Sequence, residues 1–348
     1  MGINAAIFGC SGLSLTQDER AFYERVQPLG FILFGRNIDT PQQVADLVAD
    51  LKSCVDHDDV PVLIDQEGGR VRRLRPPHWQ DYHSGALIGE QYRIDPERGL
   101  RLAWLQSRLM AFDLTKLGIN VDCLPVLDVP VPGSHDVIGD RAYGTTSDIV
   151  SDIGRSASRG LLDGGVSPVI KHIPGHGRAG VDSHKDLPRV TASYEELVVS
   201  DFAPFKSLAD MPMAMTAHVV YEAIDPDSPA TSSKKVIDEV IRGLIGFDGF
   251  LMCDDLSMNA LSGDFLHRTH SAFAAGCDVV LHCNGVMAEM QEVAKALVEL
   301  NGDAGRRFAA AMDKLKSIDC SDEQILRKEF ATICGADQYQ MDPTEAAQ

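Results

Sequence analysis

With 348 residues, 51 of them acidic and 32 basic, the chain carries a formal net charge of −19. That balance excludes a nucleic-acid partner, because phosphate binding needs clustered Lys and Arg. An apolar fraction of 44% and a charged fraction of 24% describe a soluble globular protein, and no apolar run reaches the roughly eighteen residues of a membrane span, so no membrane partner is expected.

Eight short apolar runs follow one another along the chain. They are INAAIFG (3–9), GFILFG (30–35), PVLIDQ (61–66), INVDCLPVLDV (119–129), VSPVIKHI (166–173), MAMTAHVVY (213–221), GFLMCDDL (249–256) and CDVVLHCN (277–284). Each is short and continuous, as expected of strands buried on both faces. The first begins at the N-terminus, where no basic n-region marks a secretion signal. Helical patterns at 41–52, 98–117, 233–244 and 286–300 lie between the runs. Strands alternating with helices predict a parallel sheet, and eight such units predict a single-domain α/β fold, a (β/α)8 TIM barrel. A doubly wound open sheet is the alternative. Residues 306–334 read as extra C-terminal helices on the outside. The barrel domain is placed at 1–335 and a flexible tail at 336–348. Eight cysteines are scattered with no C-x-x-C pair, which predicts reduced thiols and a cytoplasmic protein.

The polar residues collect at the C-terminal ends of the runs: Asp65 and Glu67, Asp128, Lys171 and His172, His218, Asp254 and Asp255, His282 and Asn284. In a barrel those ends converge on the face where active sites form. The stretch VIKHIPGHGRAGVDSHKDLP is the densest, and three readings of it stay open. His172, His176, Asp182 and His184 could ligate a metal, yet the spacings are not those of familiar zinc motifs. The loop could be structural, with Gly175 and Gly177 in tight turns. Or Asp182 could fix the tautomer of His184, two residues on, for general acid/base work. In FLMCDDLSM, neighbouring residues of a strand face opposite ways, so one of Asp254 and Asp255 is a candidate nucleophile and the other a local cap. Periodicity does not choose. Asp65 with Arg70, Arg72 and Arg73, and separately Arg141 in IGDRAYG, could bind a polar ligand or simply balance charge. Lys171 has few structural reasons to end a buried strand.

Taken together, IDQEGGRVRR, IGDRAYG, VIKHIPGHGRAGVDSHKDLP, AMTAHVVY and CDDLSM resemble glycoside hydrolase family 3, in particular its bacterial single-domain β-N-acetylglucosaminidases. The resemblance spans nearly the whole barrel. It implies that Asp254 is the nucleophile, His184 the acid/base and Asp182 its partner. The sugar-binding residues then fall on Asp65, Arg73, Arg141, Lys171 and His172. Cys253 stands where Ser or Thr is common in the family, and Ala142-Tyr143 where Ser-Phe is common; neither change removes a charged group.

The reaction so implied is the retaining, exo-acting removal of terminal β-linked N-acetylglucosamine from peptidoglycan fragments, namely GlcNAc-β-1,4-anhydro-MurNAc peptides. It runs through a covalent glycosyl-enzyme and needs no cofactor or metal. Lys171, Arg73 and Arg141 are expected to keep the nucleophile ionised. The partner is a small oligosaccharide, the compartment cytoplasmic, and a monomer is expected. The competing readings are a metal-dependent amidohydrolase, a non-catalytic sugar-binding protein, and an N-acetylglucosamine phosphorylase.

Overall fold

Eight short strands close on themselves in simple chain order. They are β1 (Asn4–Gly9), β2 (Pro28–Leu33), β3 (Val62–Ile64), β4 (Val121–Asp122), β5 (Ser167–Ile173), β6 (Met213–Thr216), β7 (Phe250–Asp255) and β8 (Val279–His282). Every strand pairs in parallel with both neighbours, and β8 returns to β1. This computed structural model describes residues 2–183 and 185–334. The expected α/β barrel is therefore observed, and the open sheet is not. No helix among the described residues is long and apolar enough to cross a membrane.

Strands β2 to β6 and β8 are buried along their whole length. Their inner faces fill the barrel and their outer faces pack under the helices, which is why each reads as an unbroken apolar run. In β7 the pattern opens only at its last two residues, Asp254 and Asp255. The helices start where local chemistry dictates. Thr16 and Glu19 form a reciprocal capping box, and Thr40 and Asp95 cap helices that place Pro at the first turn, Pro41–Lys52 and Pro96–Thr115.

Three predicted elements are shorter than their apolar runs. The 119–129 run forms a ladder only at Val121–Asp122, because Pro125 has no N–H to donate. The chain still follows β5, with Leu127 N donating to the Lys171 carbonyl at 2.7 Å. The 213–221 run leaves the barrel after Thr216. There Thr231 Oγ1 bonds both Thr216 Oγ1 and His218 Nδ1 at 2.7 Å, and Val220–Tyr221 pair instead with Arg189–Val190 in a separate two-stranded ribbon. The 286–300 helix is realised as Met287–Ala294; beyond it the chain extends along β1, with Ala5 N on the Val298 carbonyl and Leu300 N on the Ile3 carbonyl.

The expected C-terminal helices are Gly302–Asp313 and Glu323–Cys334. The second docks on Pro96–Thr115 through the fully buried Phe330 and a charge pair, Arg327 to Asp113 at 2.6 Å. Tyr82 donates to the same Asp113 at 2.6 Å, and its ring lies 6.0 Å from that of Phe330. The tail expected at 336–348 lies outside the described residues. Removing the Phe330 ring leaves a cavity under this helix. Phe330→Ala is expected to lower unfolding stability by about 3 kcal/mol, read from urea midpoints, with KM unchanged because the site is elsewhere.

Candidate active site

At the C-terminal mouth of the barrel lies a cavity of about 350 Å3. Of the residues singled out from sequence, Asp65, Arg73, Arg141, Lys171, His172, Asp182 and Asp254 all line it. His184 lies outside the described residues. In a TIM barrel the side chains of one layer come from alternate strands. Here Asp65 follows β3, Lys171 and His172 belong to β5, and Asp254 to β7, so the odd strands build the site.

Its floor is a lattice of charge. The Lys171 ammonium, 2% exposed, lies 2.8 Å from Asp65 Oδ1 and 2.6 Å from Glu67 Oε1. Arg141 grips Glu67 with two parallel bonds of 2.8 Å, and Arg73 Nη2 meets Asp65 Oδ2 at 3.0 Å. Burial opposes ionisation of both carboxyls, but Lys171 and Arg73 hold Asp65 well below the usual carboxylate range. Arg141 and Lys171 likewise bring Glu67 down to about 2. All five groups are therefore charged at neutral pH. Three cations against two carboxylates leave a formal positive charge. Forks and oxygens fixed in this way can meet the hydroxyls of a sugar without rearranging.

The wall beside it is built on Asp128, fully buried. Its Oδ2 lies 2.7 Å from His172 Nδ1, and its Oδ1 accepts from the backbone N–H groups of His172 and His176. Burial works against it, yet His172 and the hydrogen bonds draw Asp128 down to about 2. An ionised Asp128 only accepts, so His172 Nδ1 carries the proton and its Nε2 is the atom left for the cavity. The peptide joining Lys171 to His172 is cis, and both side chains reach the cavity. The next turn needs its glycines: Gly175 has φ +139°, and a Cβ on Gly177 would run into the Val129 carbonyl.

Beyond the turn, His176 Nε2 bonds Ser183 Oγ at 3.1 Å, and Ala260 N donates to the Ser183 carbonyl. The segment carrying Asp182 is thus pinned from two sides next to the cavity. Asp182 Oδ2 lies 4.0 Å from Lys185 Nζ.

At the end of β7 both aspartates reach the cavity rim, where strict alternation predicted one. Their roles still differ. The Asp255 carboxylate accepts from Ser257 N, Ser257 Oγ and Cys283 N, which makes it the local cap. Asp254 lies close enough to His176 and His218 for its charge to favour their protonated forms. Lys171, Arg73 and Arg141, expected from sequence to keep the nucleophile ionised, are ion-paired to Asp65 and Glu67. Among the described residues, no group of three or more His, Cys, Asp or Glu side chains is arranged to hold a metal ion. Sequence reasoning put Glu67 and Asp128 at the mouth and weighed His176 as a metal ligand, but gave none of the three a part in the glycosidase site. The signal for Glu67 was available, since three cations facing Asp65 alone would leave an unbalanced buried charge.

A (β/α)8 barrel whose mouth joins a hydrogen-bonding charge lattice to carboxylates from other strands fits a glycoside hydrolase, and the comparisons with known proteins identify that class. Residues 13–317 match the N-terminal domain of glycosyl hydrolase family 3. A β-hexosaminidase of Alkalilimnicola ehrlichii is 38% identical over 288 residues, 82% of each chain. One from Methylococcus capsulatus is 36% identical over 87% of this chain and 90% of its own. The crystal structure of NagZ from Neisseria gonorrhoeae in complex with N-trifluoroacetyl-D-glucosamine superposes with a TM-score of 0.85 at 28% identity, covering 96% of this chain and 99% of that one. The chain belongs to glycosyl hydrolase family 3.

Burial and the neighbouring His172 push His176 down to about 4, from an ordinary 6.5. Between these values the unfolded chain binds a proton that the folded chain refuses, so stability falls as pH drops through that window. His176→Gln keeps a bond to Ser183 and removes the titration. Between pH 6.5 and 4.5 the wild type is expected to lose on the order of 2 kcal/mol more than this variant, measured by urea unfolding at each pH.

Proposed function

We propose that this protein is a retaining exo-β-N-acetylglucosaminidase acting on terminal β-linked N-acetylglucosamine of peptidoglycan fragments, GlcNAc-β-1,4-anhydro-MurNAc and its peptides, in the cytoplasm. The observation that carries the reading is the meeting of Asp254 with the Asp65–Glu67–Lys171–Arg141–Arg73 lattice in one cavity of about 350 Å3. A pocket of that size, floored by charge, suits one terminal sugar rather than a chain threaded through. The relatives named β-hexosaminidase and the N-acylated glucosamine bound to the Neisseria protein support the same substrate class.

In this scheme Asp65, Arg73, Arg141, Lys171 and His172 hold the sugar hydroxyls and set the ring's position. Asp254 attacks the anomeric carbon while protonated His184, oriented by Asp182, donates to the departing oxygen. Neutral His184 then takes a proton from the water that cleaves the glycosyl ester, returning the β configuration. An imidazole with an ordinary pKa of about 6.5 suits both steps near neutrality.

Two variants separate the roles. Asp254→Ala is expected to lose at least about a thousandfold in kcat on every substrate. His184→Ala is expected to lose far more on the natural disaccharide than on 4-nitrophenyl N-acetyl-β-glucosaminide, whose leaving group needs little protonation. Equal losses on the two would remove His184 as proton donor. A 2-fluoro sugar is expected to label the peptide containing Asp254; the absence of any adduct would favour catalysis by the substrate's own acetamido group. Product identification in phosphate and in an inert buffer separates hydrolysis from phosphorolysis.

A further inference from the structure

Strand β7 ends in Asp254 and Asp255, and its two neighbours support that end unequally. On one side β8 reaches it, with Leu281 paired to Asp255. On the other, β6 pairs only as far as Met215 with Met252, because the chain leaves the barrel after Thr216. Cys253, Asp254 and Asp255 therefore have no ladder partner on β6. Backbone at the end of a buried strand needs some other partner there.

A side chain takes that place. His218, fully buried just beyond β6, has Nε2 at 3.0 Å from the Asp255 carbonyl. On the opposite side Leu256 N, in the same peptide unit, donates to the Leu281 carbonyl at 2.9 Å. One peptide plane is thus held between the units of β6 and β8. The direction of each bond around the ring follows from its partners. A carbonyl only accepts, so Nε2 carries the proton and the neutral ring accepts at Nδ1. The single proton of Thr231 Oγ1 goes to Nδ1 at 2.7 Å rather than to the Ala217 carbonyl at 3.2 Å. Thr231 Oγ1 accepts in turn from Thr216 Oγ1 at 2.7 Å. Burial favours the neutral ring, pushing its pKa below the ordinary 6.5 against the charge of Asp254. Donors therefore run from Thr216 through Thr231 and His218 to Asp255, and all three donating side chains are buried.

Asp255 passes this constraint to its neighbour. Its N–H donates to Asp254 Oδ1 at 2.8 Å, while its own carboxylate is fixed by Ser257 N and Cys283 N. A rotation of the Asp255 backbone would swing the N–H that orients Asp254. His218 is not among the residues lining the sugar cavity, so it acts on that carboxylate through the backbone. We propose that His218 is a positioning residue for Asp254: its Nε2–H stands in for the missing β6 ladder bond and, through Asp255, sets the angle at which the Asp254 carboxylate meets the anomeric carbon. The inference rests on the reading of Asp254 as nucleophile and adds to it what holds that nucleophile in line. The demand is a strict one, since a misplacement of about 1 Å in a reacting group costs on the order of a hundredfold in rate.

Labelling of the full chain by 2-deoxy-2-fluoro-β-glucosyl fluoride tests this, because a fluoride leaving group needs little protonation and the kinetics separate attack (ki) from binding (KI). Three substitutions divide the roles of the ring. His218→Gln places an amide N–H where Nε2–H stands, His218→Asn reaches only toward Thr231, and His218→Leu does neither. The Asn and Leu variants are expected to lower ki by about thirtyfold with KI within about twofold of wild type. The Gln variant is expected to recover ki to within about fivefold of wild type. Urea midpoints are measured alongside: a purely structural role moves the midpoints without separating Gln from Asn in ki. Equal ki for Gln and Asn, wild-type ki in all three, or a KI that rises as far as ki falls overturns the positioning role and leaves Asp254 as nucleophile. If the Leu variant does not fold, the Gln and Asn pair carries the comparison. A wild-type label on a residue other than Asp254 removes the nucleophile assignment itself, and the positioning role with it.

Discussion

The buried ammonium of Lys171 is the constraint around which the mouth of this barrel is organised. At 2% exposure it has almost no water, and two carboxylates, those of Asp65 and Glu67, replace it. Neither carboxylate could be buried there alone, and Arg73 and Arg141 complete their hydrogen bonding. Such a lattice is weak evidence of stability, because desolvation consumes most of the attraction, but removing any one member leaves a neighbour's charge uncompensated. Its value lies in position. Five charged groups that fix one another's geometry form a floor already oriented before a substrate arrives. That is the condition under which fixed dipoles and charges act most strongly on a reacting centre.

The barrel supplies the positions by a simple rule. Asp65, Lys171 and Asp254 stand at the ends of β3, β5 and β7, alternate strands that contribute to the same layer of side chains. The even-numbered β4 serves the wall: Asp128, six residues after the strand ends, ties the backbone of β5 and the PGHG turn to one carboxylate. The histidines of that turn are therefore set by a residue of the preceding unit. The loop's own geometry, with Gly177 against the Val129 carbonyl, presses the turn against the same segment.

Most of this was legible in the sequence, and the exceptions have physical causes. Continuous apolar runs located all eight strands because both faces of each are buried. The runs overstated β4 and β6, since a missing N–H at Pro125 and a hydroxyl at Thr231 act on hydrogen bonding, which hydrophobicity does not register. Polar residues closing the strands located the mouth. Which residue partners which was not legible. Lys171 meets Glu67 across about a hundred positions of chain, and nothing local to either announces the other. The capping contacts of Asp255 were only partly of that kind: Ser257, two residues on, is local, but Cys283 N is a donor from the loop after β8, a different unit of the barrel.

The electrostatics of the mouth bear on why an imidazole is the proposed acid/base where glycosidases ordinarily use a second carboxyl. A carboxylic acid serves as general acid at neutral pH only if its surroundings raise its pKa by about two units. This mouth does the reverse. Arg141 and Lys171 draw Glu67 down to about 2, and the histidine-lined wall does the same to Asp128. A carboxyl set among these cations would be held ionised as Glu67 is. An imidazole needs no upward shift, but it must avoid the fate of His176, which burial and a neighbouring ring push down to about 4. An acid/base group that works near neutrality must stay clear of both effects. In that wall His176 is held by Asp128 through its backbone N–H and by Ser183 through its ring, so the burial that lowers its pKa is built into the packing.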